Sequence, residues 1–258
     1  MHDDLMQPAR YPYGPDPSQY GELWLPRDEA AGTVVVMHGG FWRARYDLSL
    51  GRPLAADLVA RGYAVWNLEY RRVGAGGGWP ATFEDIAAGT DLLADLPVST
   101  ARVAAIGHSA GGHLAAWAAG RARLAPGLPG AEPRVVPTAV VSQAGVLDLA
   151  GCAREGVGGT AALDLMGGGP RDRPEPYLLA DPMAAVPLAA SVLCVHSRAD
   201  DNVPFRYSDG YVRAARRAGG TAHLHETSGD HFTLIDPGSR DWQVVVDALP
   251  GLLARSGG

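Results

Sequence analysis

Short apolar segments alternate with Ala-rich stretches of helical pattern along most of the chain. The run TVVVM at residues 33–37 is almost wholly apolar, as expected for a strand that is buried on both faces of a sheet. Because parallel strands need long crossover connections, usually helices, this alternation favours a parallel arrangement. The sequence therefore predicts an α/β fold with a mostly parallel central sheet and helices on both of its faces.

The local patterns also predict where the elements begin and end. Strands are predicted at residues 22–25, 33–37, 63–68, 102–106, 136–141, 191–196 and 222–226, and helices at residues 49–61, 82–96, 112–119, 205–218 and 241–253. Gly62 is predicted to end the first helix as its C′ residue, and Thr82 is predicted to cap the second. Pro250 is predicted to kink or end the last helix.

Residues 144–187 interrupt this alternation, since they are rich in Gly and Pro and show only short helical patches. Segments of this length without regular structure are uncommon in compact domains and are usually functional. We expect this segment to form an irregular lid over the carboxyl ends of the strands, where open α/β sheets bind ligands. Residues 1–258 are expected to form one domain that carries this insertion.

The charge and composition exclude several classes of function. The formal net charge is −6, so no overall basic field attracts nucleic acid or an anionic membrane surface. All 22 positively charged side chains are Arg, which excludes Schiff-base chemistry on Lys and a Walker-type Lys. The two Cys form no C-x-x-C pair, and no third ligand accompanies His223 and His225. We therefore predict neither a metal nor an organic cofactor.

No stretch of the sequence reaches the length of a transmembrane helix, about 18 apolar residues. Residues 1–10 carry acidic residues and a Pro instead of the basic and apolar regions of a signal peptide. We therefore expect a soluble, cytoplasmic protein that acts on a small molecule. The sequence carries no signal for a particular oligomeric state.

The motif Gly107-His108-Ser109-Ala110-Gly111 lies between an apolar strand and a helical run. This is the context of a nucleophile at a sharp strand-to-helix turn, where side chains in place of the two glycines would collide with neighbouring backbone. The turn exposes the Ser109 hydroxyl and places the Ala110 N–H at a helix N-terminus, where the helix dipole favours an oxyanion. Ser109 is the predicted nucleophile, and a simple turn between two glycines is the alternative.

The run HGGFW directly follows the strand TVVVM. A glycine pair at this place lets backbone N–H groups face a reacting carbonyl without steric obstruction. We expect the N–H groups of Gly40 and Phe41, completed by that of Ala110, to form an oxyanion hole. His38 and Gly39 are expected to support this loop, His38 through hydrogen bonds rather than as a base. An ordinary turn is the alternative for the two glycines.

A hydroxyl nucleophile requires a base, and the base requires an acid that orients it. The acid is expected just past a strand end, and the run RADDNVP follows the strand that ends at residue 196. Asp200 is the predicted acid and Asp201 is its competitor. The base is expected on a loop after the last strand, where the run GDHF contains His231. Four other histidines lie in predicted strands or helices and are expected to be packed there: His113, His196, His223 and His225.

With HGGFW, GHSAGG, RADDNVP and GDHF in this order, residues 21–253 resemble the α/β-hydrolase superfamily. The run HGGFW is similar to the HGGxW pattern of kynurenine formamidases (arylformamidases), and small carboxylesterases share this pattern. The same branch is also similar in the run EYRR at residues 69–72, in Pro80 and in Asp85. The resemblance implies the α/β-hydrolase fold with a lid insertion. It also implies Ser109, Asp200 and His231 as a catalytic triad.

The predicted activity is that of a serine hydrolase that cleaves a formamide or a small carboxylic ester through an acyl-enzyme. A general short-chain carboxylesterase is an alternative, and so is an acyl transferase or cyclase that uses the same triad. A non-catalytic binding protein is disfavoured, because all three triad positions are filled. Trp42, Trp79 and Tyr177 are candidates for an aromatic substrate pocket on their position alone.

Overall fold

The computed structural model describes residues 7–254 of the chain. The expectation of a single domain over residues 1–258 and the expectation for the N-terminal segment 1–10 therefore extend beyond the described residues. Within residues 7–254, no helix combines the length and the hydropathy that a membrane crossing requires.

In the described part of the chain, one eight-stranded sheet forms the centre of the fold. Its strands are β1 (Ala9–Pro12), β2 (Tyr20–Trp24), β3 (Thr33–Met37), β4 (Ala64–Leu68), β5 (Val103–His108), β6 (Ala139–Gln143), β7 (Ser191–Ser197) and β8 (Ala222–Thr227). They lie in the order β1-β2-β4-β3-β5-β6-β7-β8. The pairs β1–β2 and β2–β4 are antiparallel and all others are parallel, which confirms the predicted mostly parallel sheet. The sequence did not indicate β1, because its residues are mostly exposed and form no apolar run.

Eight α-helices of residues 7–254 connect the strands and cover both faces of the sheet. They are α1 (Arg52–Ala60), α2 (Ala81–Asp91), α3 (Ala110–Ala119), α4 (Leu149–Glu155), α5 (Ala161–Met166), α6 (Pro174–Ala180), α7 (Arg206–Arg217) and α8 (Arg240–Ala254). Alternate residues of β3 face opposite sides, as the pleat of a strand requires. Val34 and Val36 belong to the core that includes α1 and α8, whereas Val35 and Met37 belong to the core that includes α2 and α3.

The first two predicted helix boundaries have different outcomes. Gly62 has a φ of 88° and follows α1 in the left-handed conformation that a C′ glycine adopts. The predicted cap at Thr82 is wrong, because α2 begins at Ala81 after Pro80. Thr82 is buried in the first turn of this helix, and its hydroxyl donates a hydrogen bond to the carbonyl of Arg71 at 2.6 Å.

The prediction that Pro250 ends the last helix is wrong, because α8 continues through this residue to Ala254. The alternative, a kink at Pro250, stays a prediction. Proline removes one backbone hydrogen bond of the helix. The apolar residues around it, Leu249, Leu252 and Leu253, are all buried against the sheet. Tertiary packing of this face outweighs the local preference of proline, as is usual for helices in folded proteins.

Residues 144–187 contain the three short helices α4, α5 and α6. The Asp181 carboxylate joins the two ends of this segment: it accepts hydrogen bonds from the N–H groups of Leu149 at 3.1 Å, Ala150 at 2.9 Å and Met183 at 3.0 Å. Burial raises the pKa of Asp181 to about 6. A buried carboxylate therefore holds the start of α4 against the turn that leads to β7.

The same segment also contacts the loops that follow β3 and β4. The N–H of Trp79 donates to the Leu165 carbonyl at 2.6 Å, and the Arg43 guanidinium donates to the Gly158 carbonyl at 3.2 Å. These loops leave the carboxyl ends of their strands. Segment 144–187 therefore lies at the edge of the sheet where the sequence predicts ligand binding.

The ends of β3 and β5 approach each other closely, and Met37 pairs with Gly107 in the sheet. A Cβ atom on Gly107 would lie 2.0 Å from the Gly111 carbonyl oxygen, and a Cβ atom on Gly111 would lie 2.0 Å from the Met37 carbonyl oxygen. Both collisions are with backbone, so a side-chain rotation cannot relieve them. Steric exclusion therefore explains both glycines of the GHSAG motif.

We expect Gly111→Ala to lower the free energy of unfolding by about 2 kcal/mol or more, because the added methyl group meets backbone. Gly251→Ala is the matched control: this glycine lies in α8 and a Cβ there would meet no atom within 4 Å. The control should be neutral or stabilising by up to about 1 kcal/mol. Urea unfolding of both variants measures the difference, and equal stabilities would contradict the steric explanation.

Candidate active site

Ser109 occupies the turn between β5 and α3 in an unusual backbone conformation. Its φ is 55° and its ψ is −118°, a region that residues with a side chain rarely adopt. Such strained residues cluster at functional sites. The Ser109 N–H donates to the Gln143 carbonyl at 2.8 Å, and the Ser109 carbonyl accepts from the Val146 N–H at 3.3 Å. The backbone on both sides of the serine is therefore held while its hydroxyl makes no hydrogen bond to another described residue.

Asp200 and His231 are in direct contact. His231 Nδ1 lies 2.6 Å from Asp200 Oδ2, and Asp200 Oδ1 accepts hydrogen bonds from the N–H groups of Asn202 and Val203, both at 2.8 Å. The competitor Asp201 is exposed and accepts a hydrogen bond from the Asn202 side chain at 2.7 Å. The geometry thus brings the predicted acid to the predicted base and leaves the competitor at the surface.

Asp200 carries its negative charge in a buried position. Burial alone would raise its pKa, but the hydrogen bonds from His196, His231 and the Val203 N–H outweigh burial and hold the pKa of Asp200 well below its usual range. The carboxylate is therefore ionised at neutral pH and accepts the hydrogen bond of His231 Nδ1–H. Since Nδ1 faces the acid, His231 Nε2 is the nitrogen that remains available for chemistry.

His108 connects the two loops that carry Ser109 and His231. Its Nε2 lies 2.8 Å from the His231 carbonyl oxygen, and the two imidazole rings have centroids 4.4 Å apart. Burial, followed by repulsion from His231, lowers the pKa of His108 to about 3. The ring is therefore neutral, and Nε2 carries the hydrogen that it donates to this carbonyl. His108 precedes Ser109 in the chain, so the contact places the His231 loop beside the serine turn.

The buried carboxylate of Glu69 organises the loop after β3. Its Oε1 lies 3.0 Å from His38 Nε2, and its two oxygens accept from the N–H groups of Tyr70 and Leu48, both at 2.9 Å. His38 Nδ1 is 2.9 Å from the Gly39 carbonyl oxygen. His38 therefore supports the loop, as its pattern predicts. The sequence did not identify Glu69 as its partner, although the EYRR run directly after β4 was the available signal.

The predicted oxyanion-hole residues lie next to Ser109. A Cβ atom on Gly39 would lie 3.2 Å from Ser109 Cβ, so this loop touches the serine turn. Gly40 and Phe41 have φ values of 107° and 53°. Within residues 7–254, their N–H groups donate to no acceptor, and Ala110 begins α3, where an N–H has no partner inside the helix. All three N–H groups are thus free to bind an anionic oxygen.

The structure corrects part of the predicted aromatic pocket. Trp42 is fully buried and packs edge-on against His113, with ring centroids 5.3 Å apart. Tyr177 is also buried, and its hydroxyl donates to the Gly168 carbonyl at 3.1 Å. Both side chains belong to the hydrophobic core. Trp79 is the half-buried member of the three and packs edge-on against Phe83.

The other histidines divide into two pairs: His113 and His196 are packed inside the protein as the sequence predicts, whereas the predicted packing of His223 and His225 is wrong. His113 is buried, and its Nε2 lies 2.9 Å from the Ala180 carbonyl oxygen of segment 144–187. His223 and His225 are exposed on β8. His196 is fully buried at the end of β7, and its Nε2 lies 3.3 Å from Asp200 Oδ2. The sequence did not predict this contact, because nothing in a strand pattern tells which side chain faces a distant loop.

An open cleft of about 650 Å³ lies beside the Asp200 turn. It runs between this turn and the first part of segment 144–187, and its lining includes Glu155, Gly158, Phe205 and Arg206. Gly158 packs against the loop after β3, since a Cβ atom there would lie 2.2 Å from the Phe41 ring. The cleft therefore borders the Asp200 turn, and one residue of its lining, Gly158, packs against Phe41. Among residues 7–254, no cluster of three or more His, Cys, Asp or Glu side chains is placed to hold a metal ion.

Comparison with solved structures shows that several esterases share this architecture. A truncated carbohydrate esterase from gut microbiota is 21% identical with a TM-score of 0.79, over 97% of this chain and 98% of the other. Esterase 2 of Thermogutta terrifontis with bound butyrate is 20% identical with a TM-score of 0.76, over 98% of this chain and 96% of the other. Esterase B of Lactobacillus rhamnosis is 21% identical with a TM-score of 0.80, over 98% of this chain and 88% of the other.

These likenesses establish the α/β-hydrolase fold, in agreement with the sheet order and the covering helices. No curated protein matches the chain significantly. The profile of the BD-FAE family matches residues 22–213, which is well over half of the chain. The matched residues include Ser109, the loop after β3 with Gly40 and Phe41, and Asp200. The chain therefore belongs to the BD-FAE family and has the α/β-hydrolase fold.

Proposed function

We propose that this chain is a serine hydrolase that cleaves small carboxylic esters through an acyl-enzyme on Ser109. One observation carries the proposal: His231, hydrogen-bonded to Asp200 at 2.6 Å, lies on a loop that is tied to the strained turn of Ser109. A serine nucleophile, a histidine base and an orienting acid form the arrangement that acyl transfer requires.

In the first half of the reaction, His231 Nε2 takes the proton of Ser109 Oγ while this oxygen attacks the ester carbonyl. The negative charge that develops on the carbonyl oxygen is received by the free N–H groups of Gly40, Phe41 and Ala110. Asp200 stabilises the positive charge that forms on the imidazole. The low pKa of Asp200 supports this role, because the carboxylate keeps its charge throughout.

In the second half, His231 donates the proton to the leaving alcohol, and the acyl group stays on Ser109. Water then enters, loses a proton to His231 and attacks the acyl carbon. The bond between this carbon and Ser109 Oγ breaks, His231 returns the proton to Oγ, and the free acid leaves. We propose that segment 144–187 serves as the lid of this site and that the cleft beside the Asp200 turn receives part of the substrate. Each of these steps is carried out by side chains and backbone of the chain.

An ester is our first choice of substrate because the structures described above are of esterases. Esterase 2 of Thermogutta terrifontis is also described as phosphonylated by sarin. The HGGFW loop motivates an aryl formamide as the second candidate. An acyl transferase on the same triad is the third.

A substrate panel separates these candidates. We expect p-nitrophenyl esters of short acids to react with a higher kcat/KM than aryl formamides, with the free acid as the product. Faster cleavage of the formamides would reverse the order of the first two candidates. Product analysis with an added alcohol or amine acceptor detects transfer, and transfer that exceeds hydrolysis would replace the hydrolase assignment.

Ser109→Ala should lower kcat by at least about 10⁴-fold, because the nucleophilic oxygen is removed. A fluorophosphonate probe should label the wild type at Ser109 alone and should not label this variant. Mass spectrometry of the labelled peptide locates the adduct, and circular dichroism checks that the variant is folded. Labelling at a different serine would show that the nucleophile is misassigned.

Asp200→Asn should lower kcat by up to roughly 10⁴-fold, because an amide favours the wrong tautomer of His231. Asp201→Asn is the matched control, since this neighbouring carboxylate is exposed and does not contact His231. Steady-state kinetics on one ester compares the two variants. If Asp201→Asn proved to be the slower enzyme, Asp201 would replace Asp200 as the acid, and the assignment of Ser109 as the nucleophile would be unaffected.

Asp200→Asn should also change how stability depends on pH. The folded-state pKa of Asp200 is depressed, so its charge stabilises the fold above the unfolded-state value of about 3.9 and this contribution is lost as the pH falls through the folded-state value. The difference in Tm between wild type and variant should therefore shrink from about pH 7 to about pH 3. A difference that stays constant over this range would contradict the depressed pKa.

A further inference from the structure

His196 is a buried histidine that the mechanism above does not use. It lies near the end of β7, four residues before Asp200, and both side chains have no exposed surface. A polar ring in this position costs free energy unless its nitrogens are hydrogen-bonded, and an apolar side chain would fill the same space without that cost. The partners of the two ring nitrogens therefore indicate what the histidine does.

Both ring nitrogens of His196 have polar partners. Nε2 lies 2.9 Å from the Val203 carbonyl oxygen and 3.3 Å from Asp200 Oδ2. Nδ1 lies 2.8 Å from the hydroxyl oxygen of Ser208, a buried residue of α7. Because the two atoms beside Nε2 are both acceptors, Nε2 carries a hydrogen. In the neutral ring, Nδ1 then accepts the Ser208 hydroxyl hydrogen.

The residues that contact Nε2 are the two ends of one turn, Asp200–Val203, which we call the acid turn. Inside this turn, Asp200 Oδ1 accepts from the N–H groups of Asn202 and Val203. His196 faces the opposite oxygen, Oδ2, which is also the oxygen bonded to His231. Its N–H therefore approaches the acid turn from the rigid sheet, at the atom on which the orientation of His231 depends.

We propose that His196 is a positioning residue for the reaction, which holds the acid turn so that Asp200 Oδ2 stays directed at His231. This inference rests on the proposed function and adds a fourth side chain to it. The polar chain then runs from Ser208 through His196 and Asp200 to His231. Because the attraction between Asp200 and His231 is strongest when the imidazole is protonated in the transition state, loss of His196 affects kcat rather than KM.

Two conservative variants isolate the Nε2 contact. The amide of His196→Gln reaches the position of Nε2 and keeps a donor for the acid turn, whereas the amide of His196→Asn reaches only the position of Nδ1. We expect His196→Asn to lower kcat by about 10-fold or more with KM within about twofold, and His196→Gln to retain most of the activity. Thermal unfolding of both variants shows whether they are folded.

A double-mutant cycle with Asp200→Asn tests whether His196 acts through the acid. In the Asp200→Asn background, His196→Asn should change kcat by less than about twofold, because the carboxylate that it positions is gone. A purely structural role would give the same factor in both backgrounds. Additive losses, or a His196→Gln variant as slow as His196→Asn, would overturn the inference.

The cycle also distinguishes failure of the inference from failure of the proposed function. If Asp200→Asn alone leaves kcat unchanged, the triad is wrong and the proposed function fails. If Asp200→Asn lowers kcat and His196→Asn does not, the triad stands and His196 has no positioning role. Ser208→Ala serves as a further control, because it removes the partner of Nδ1 without touching the acid turn. Its loss of kcat should be smaller than that of His196→Asn, and a larger loss would also overturn the inference.

Discussion

The close backbone approach between the end of β3 and the start of α3 determines the geometry of the whole site. A Cβ atom on Gly111 would lie 2.0 Å from the Met37 carbonyl oxygen, so only glycine allows this contact. The residues that follow Met37 carry the proposed oxyanion donors, and those just before Gly111 include Ser109. A single steric constraint therefore places the proposed nucleophile and the proposed oxyanion donors side by side. The proposed mechanism depends on this proximity, because the donors must reach the oxygen of the carbonyl that Ser109 attacks.

The remaining groups reach the serine through the neighbouring strands. The Ser109 N–H binds the Gln143 carbonyl at the end of β6, and the Gln143 side chain in turn donates to the Leu234 carbonyl after β8. His108 binds the His231 carbonyl on the same loop. Because parallel strands end at one edge of the sheet, loops that are more than a hundred residues apart in the chain meet there. Buried polar contacts then set the orientation of each side chain.

The sequence predicted those features that depend on local pattern. Apolar runs identified the strands around Ser109, and the glycine spacing identified its turn, because sterics within a few residues decide both. Local pattern failed where packing overrides it: Pro250 lies inside α8, and Trp42 and Tyr177 lie in the core. An aromatic residue near a motif can face either a pocket or the core, and the fold alone selects between the two.

The sequence by itself determined the class of fold, the order of the motifs, the proposed nucleophile and the proposed base, because each of these depends on residues that are neighbours in the chain. The tertiary structure alone decided which acidic residue meets His231 and which side chains support it. Asp200 and Asp201 are adjacent and chemically identical, and only the direction of the turn separates them. The contact of His196 with Asp200 is likewise invisible in a strand pattern, since it depends on how a loop folds back onto the end of its own strand.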